Sequence, residues 1–161
     1  MNTIEPLLVK PGETRNGNIL NIFGDQVLVK LAGNDTNGEL CVLENVIPFQ
    51  AGPPLHRHTR ENETFYVVEG EFLVEVDGKQ FRAGAGDIAF APRGTAHTFQ
   101  NLSSKPGRMI VYAQPAGVDL FFAELSAATE GMRELDLSVI IPIFQKYGLE
   151  LLGPPLAARG K

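Results

Sequence analysis

His56-Arg57-His58-Thr59-Arg60-Glu61-Asn62-Glu63-Thr64-Phe65-Tyr66-Val67-Val68 holds most of the chemistry of this chain and sets the pattern of its fold. In an extended strand, residues two apart share a face, so His56 and His58 point one way and Arg57 the other. Thr59-Arg60-Glu61-Asn62 reads as a polar turn, which places Glu61, a rival to Glu63 as ligand, in solvent. The turn hands the chain to a second strand that opens at Glu63 and continues in β-branched and aromatic residues. A carboxylate on the inner side of such a strand needs a partner, because burying it unpaired is very costly. The chain has 161 residues and three histidines, and the third, His97, lies in a second glycine- and proline-punctuated block, Gly86 to Asn101. Histidine is the commonest metal-ligating side chain. His56, His58, Glu63 and His97 are therefore the candidate ligands of one metal ion.

Outward from these blocks the chain is a series of short apolar runs broken by turns. Candidate strands are Ile19–Ile22, Gln26–Leu31, Leu40–Ile47, Thr64–Val68, Glu71–Val76, Gln80–Arg82, Ile88–Ala91, His97–Gln100 and Met109–Ala113. Asp77-Gly78 is a hairpin signal, since a type I′ turn needs positive φ at both central residues. Many short strands with Gly/Pro turns predict an all-β sandwich or barrel. The last third differs. Val118–Leu125 has helical spacing, and Leu135–Tyr147 is a second helical stretch ended by Gly148, with Pro142 inside it predicting a kink or break. The expected organisation is an N-terminal lead-in over 1–17 that ends in an Asn16-Gly17 turn, a β-barrel domain over 18–115, and a C-terminal helical extension over 116–161. Residues 149–161 are expected as an extended tail.

Composition narrows the function classes. The net charge is −5 and the basic residues are scattered, which argues against a nucleic-acid surface. A single cysteine, Cys41, excludes an intrachain disulfide, and its apolar neighbours predict a buried thiol. No run approaches the ~20 apolar residues of a membrane helix, and the first ten residues lack a signal-peptide core. A cytoplasmic protein with no membrane partner is the resulting expectation.

The two blocks resemble the paired motifs of the cupin superfamily. The first motif is matched by Gly52, His56, His58, four residues, Glu63, six residues and Gly70. The second is matched by Gly86, Pro92, Gly94, His97 and Asn101 at every spacing. One departure is the separation of Gly52 from His56, three residues where the family has five. The resemblance covers residues 52–101 and implies a cupin jelly-roll β-barrel. It also implies one divalent transition metal ion, Fe, Mn, Ni, Co, Cu or Zn, held by His56, His58, Glu63 and His97. Cupins are often homodimers through exchange of N-terminal strands, a part residues 18–31 could play.

Three imidazoles and a carboxylate suit a first-row divalent ion. The lack of a thiolate ligand argues against a closed structural zinc site. Among cupins the ligand spacing is similar to that of quercetinase-like enzymes. That likeness implies a dioxygenase acting on a small flavonol-like or other enolisable substrate, with Glu63 as both ligand and catalytic base. Phe65, Phe72, Phe90 and Phe99 are candidates for the apolar wall of the substrate pocket. The alternatives are an isomerase or lyase acting on a sugar-like substrate, with Arg60 and Arg93 near the mouth, and a metal- or small-molecule-binding module without turnover. Oxalate oxidation uses the same four ligands but belongs to secreted, disulfide-bonded cupins.

Overall fold

Along 41–47 the buried residues Cys41, Leu43, Asn45 and Ile47 alternate with partly exposed Val42, Glu44 and Val46, as a strand with one face on a core requires. The same two-residue period recurs through most of the chain. The computed structural model describes residues 3–15 and 17–159. Asn16 of the expected Asn16-Gly17 turn lies outside the described residues, as do the two residues at either end. The strands are β1 (Leu20–Ile22), β2 (Asp25–Leu31), β3 (Cys41–Ile47), β4 (Leu55–His58), β5 (Asn62–Glu69), β6 (Glu71–Val76), β7 (Lys79–Gly84), β8 (Ile88–Ala91), β9 (Ala96–Asn101), β10 (Gly107–Gln114) and β11 (Leu149–Gly153). They form a six-stranded sheet, β1-β2-β3-β10-β5-β8, and a five-stranded sheet, β11-β4-β9-β6-β7. Every pairing is antiparallel. This is the all-β architecture that the strand pattern predicts and the jelly roll that the resemblance implies, with the core between the two sheets.

Turn chemistry and close approach fix the register. Asp77 and Gly78 have φ of 50° and 74°, the two left-handed residues of the expected hairpin between β6 and β7. Gly52 is there for closeness. A Cβ on it would lie 1.8 Å from the Phe99 carbonyl oxygen, so only glycine lets the 48–54 loop cross β9. Asn101, fully buried at the end of β9, donates from Nδ2 to the carbonyls of Ile47 (2.9 Å) and Lys105 (2.8 Å) and accepts from Ser103 N (2.9 Å). The glycine and the asparagine that frame the two motifs thus hold the barrel together.

The C-terminal segment packs against the barrel. Helix α1 (Val118–Thr129) buries Val118, Phe121 and Leu125, and Phe121 meets Phe144 of α2 (Leu137–Lys146) edge to face at 4.9 Å. Of the kink or break predicted at Pro142, the break does not occur. The helix runs through it, because Ile140, Ile143 and Phe144 on its inner face are buried against α1 and β11, and such packing outweighs one lost backbone bond. Residues 149–153, expected as part of a tail, are extended and pair as β11 with β4, Leu149 opposite His58 and Leu151 opposite His56. Among the described residues no helix is long and apolar enough to cross a membrane.

Candidate metal centre

The four chemical residues come from four strand positions that the sheets bring face to face. β4 carries His56 and His58 on its inner side, and β9 sets His97 directly opposite His56. Glu63, on the second position of β5, enters from the other sheet, opposite Ala91 of β8 and Ala113 of β10. Those two small residues leave room for the carboxylate. All four side chains are buried, and each offers a ligand atom within 4.8 Å of the others.

Glu63 Oε2 is the point of convergence. It lies 2.8 Å from His97 Nε2 and 3.3 Å from His58 Nε2. Atoms about 2.1 Å from a common ion and at right angles are about 3 Å apart, so these separations suit ligands to one ion. The opposite edge of each imidazole is already engaged. His56 Nδ1 donates to the Pro54 carbonyl at 2.8 Å, His97 Nδ1 to the Thr95 carbonyl at 3.1 Å, and His58 Nδ1 to Glu61 Oε2 at 3.2 Å. With Nδ1 acting as donor, Nε2 faces inward on all three rings, the tautomer that metal ligation needs.

The electrostatics follow from burial and mutual charge. Burial, followed by the nearby His97 and His58, pushes His56 down to about 3, so it is neutral at ordinary pH. Burial would raise Glu63, but His58 and His97 outweigh it and hold the carboxyl at about 2. For His58, burial opposes the charge, yet the carboxylates of Glu63 and Glu61 win and raise it above the ordinary histidine value. A fixed anion among three imidazoles can hold a cation.

The second motif also positions the first. Gly94 N donates to the His58 carbonyl at 2.7 Å, and Arg93 N donates to Asn62 Oδ1 at 2.9 Å. From outside, the C-terminal segment closes on the 59–60 turn. Thr59 N and Oγ1 both donate to the Gly148 carbonyl (2.8 and 2.7 Å), and Arg60 reaches the Lys146 carbonyl. Arg57, on the outer face of β4, pairs with Glu150 of β11.

The phenylalanines divide. Phe65 is buried 5.9 Å from the His97 ring and 5.8 Å from Phe99, so both belong to the inner wall next to the imidazoles. Phe72 sits behind Phe99, ring to ring at 6.0 Å, and plugs the core under Gly107. Phe90 is not part of the wall. Its neighbour Ala91 pairs with inward-facing Glu63, so Phe90 points out and is 53% exposed. Glu61, expected in solvent, is also corrected, being 3% exposed and turned inward. Cys41 is the buried thiol its neighbours predicted, pushed up to about 12 by burial and by Asp119.

Residues 42–112 match the family model of the cupin domain. The chain carries a cupin domain. An RmlC-like cupin from Shewanella frigidimarina superposes with a TM-score of 0.59 at 28% identity, covering 73% of this chain and 99% of that one. The cupin is 26% identical over 108 residues to an uncharacterised protein of Methanocaldococcus jannaschii, 66% of this chain and 81% of that one. It is 29% identical over 111 residues to quercetin 2,3-dioxygenase of Bacillus subtilis, 68% of this chain. That match spans only 33% of the dioxygenase.

Proposed function

We propose that this cupin is a metal-dependent dioxygenase acting on a small enolisable substrate of flavonol-like character, with His56, His58, Glu63 and His97 as metal ligands. The observation that carries this is the Glu63 carboxylate, buried where three inward-facing Nε2 atoms converge. The likeness to a quercetin 2,3-dioxygenase supports it. A divalent transition ion held there supplies a Lewis-acidic, redox-capable centre for O₂ and an enolisable oxygen. The protein's own part is local. The Nδ1 bonds to Pro54, Thr95 and Glu61 keep each imidazole in one tautomer and one orientation. Glu63 stays ionised through the neutral range, so an acceptor is available for the substrate's hydroxyl proton. Phe65 and Phe99 give the inner wall an apolar, water-excluding surface suited to an aromatic ring.

The test is reconstitution with Fe(II), Mn(II), Co(II) or Ni(II), followed by oxygen-electrode assays with flavonols and other enolisable compounds. Substrate-dependent O₂ uptake that vanishes in His56→Ala and Glu63→Ala is the expected result. Turnover of a sugar-like compound without O₂ consumption would move the cupin to the isomerases and lyases. Metal binding without turnover of either kind would leave it a binding module.

A further inference from the structure

Glu61 is a buried carboxylate that the four-ligand set does not use. Its Oε2 accepts from His58 Nδ1 at 3.2 Å, and the residue is 3% exposed. The other two imidazoles rest on neutral backbone carbonyls, so His58 alone is backed by a charge. Among the described residues no lysine or arginine forms an ion pair with Glu61 or Glu63, whose partners are all histidines. Two buried carboxylates thus lie in one cluster where imidazoles are their only ion-pair partners among the described residues. A divalent ion on neutral imidazoles would balance both, and electroneutrality is what a water-poor interior demands. Glu61 is also held in place. A Cβ on Gly117, at the start of α1, would stand 3.2 Å from its Oε1, so the C-terminal segment is packed closely against the carboxylate.

We propose that Glu61 is a positioning residue of the metal centre: it orients His58 through Nδ1 and supplies the second negative charge that makes the site neutral around a divalent ion. The proposal rests on the metal-binding reading of His56, His58, Glu63 and His97. A carboxylate behind a ligating imidazole raises ligand basicity and fixes ring orientation, and its loss typically costs about ten- to a hundredfold in metal affinity.

The experiment measures Co(II) affinity by chelator competition, with the visible Co(II) spectrum, for the full chain and for Glu61→Ala and Glu61→Gln. Melting of each metal-free protein serves as the folding check. Glu61→Ala should bind Co(II) about ten- to a hundredfold more weakly and shift the spectrum. Glu61→Gln is nearly isosteric and can still accept from Nδ1, so it should recover part of that loss. Wild-type affinity and spectrum in Glu61→Ala would overturn the proposal while leaving the four ligands standing. If Glu61→Ala does not fold, wild-type affinity in Glu61→Gln would overturn the charge-balancing role. Absence of Co(II) binding by the wild-type chain would overturn the underlying metal reading, and the proposal with it.

Discussion

Residues 52–101 and residues 117–153 both reach the imidazoles, by different routes. The first region supplies every candidate ligand, three of them from short spacings: His58 is two positions after His56, and Glu63 five after His58. The second region supplies no ligand. It closes on the ligand loop from outside, through Gly148 on Thr59 and Arg60, Gly117 against Glu61, and β11 along β4. The contrast separates chemistry, which is local in sequence, from mechanical support, which is long-range.

The largest expected effect lies in the first region. His97→Ala or Glu63→Ala should lose the bound ion entirely, read by elemental analysis of protein reconstituted with one metal. Retention of one equivalent would break the ligand assignment. Gly148→Ala probes the second region. Gly148 has φ of +77°, and a Cβ there would lie 2.8 Å from both Thr59 Oγ1 and Arg60 Nε. Strain and overpacking should cost about 2 kcal/mol, roughly 4–8 °C in Tm for a chain of this size. Weaker metal retention should accompany it. A lower Tm with unchanged affinity would show that the C-terminal segment stabilises the barrel without supporting the site.

Acid should separate the histidines. His56, depressed to about 3, and Glu63, depressed to about 2, carry no competing proton above those values. His58 is raised, so it keeps its proton to higher pH than an ordinary histidine. Metal needs it neutral, so affinity is full above its raised pKa and falls by about tenfold per pH unit below it. Chelator competition across pH 5–9, an interval chosen to bracket ordinary histidine titration, checks this. A flat profile would remove His58 from the ligand set. Glu150→Ala should cost about 1 kcal/mol or less by thermal melting, because its pair with Arg57 is half exposed. Phe90→Ala, on the outer face, should change stability by no more than about 0.5 kcal/mol and leave metal binding unaltered. A larger change at either position would mean that the outer surface matters to the centre.

The barrel was legible because its strands announce themselves in period two and its hairpin in Asp77-Gly78. The three histidines were legible because histidine occurs nowhere else in the chain, and Glu63 because it follows His58 by five residues at the head of an apolar strand. Glu61 was misread for a specific reason. It lies two residues before Glu63, the same parity, but the polar run 59–62 reads as a turn. The inward alternation starts one step earlier than the apolar residues reveal. Phe90 was misplaced by the opposite error, since hydrophobicity alone does not say which face a strand residue takes. Only the pairing of Ala91 with Glu63 decides it. The role of β11 could not be read, because Leu149 and Leu151 acquire meaning only when set beside histidines far away in sequence.

That last pairing has a consequence for how the protein is made. β4 lies between β9 and β11, and the Arg57–Glu150 contact across its outer side spans 93 residues. During synthesis the chain carries all four ligands long before it carries the strand that covers them. Loop closure over such a separation is slow, so the edge of the ligand strand is the last part of its sheet to be sealed. A chain interrupted after the barrel would present β4 as a bare edge, open to pairing with the wrong strand of another molecule. In this fold β11 guards against aggregation at the strand that bears two of the ligands.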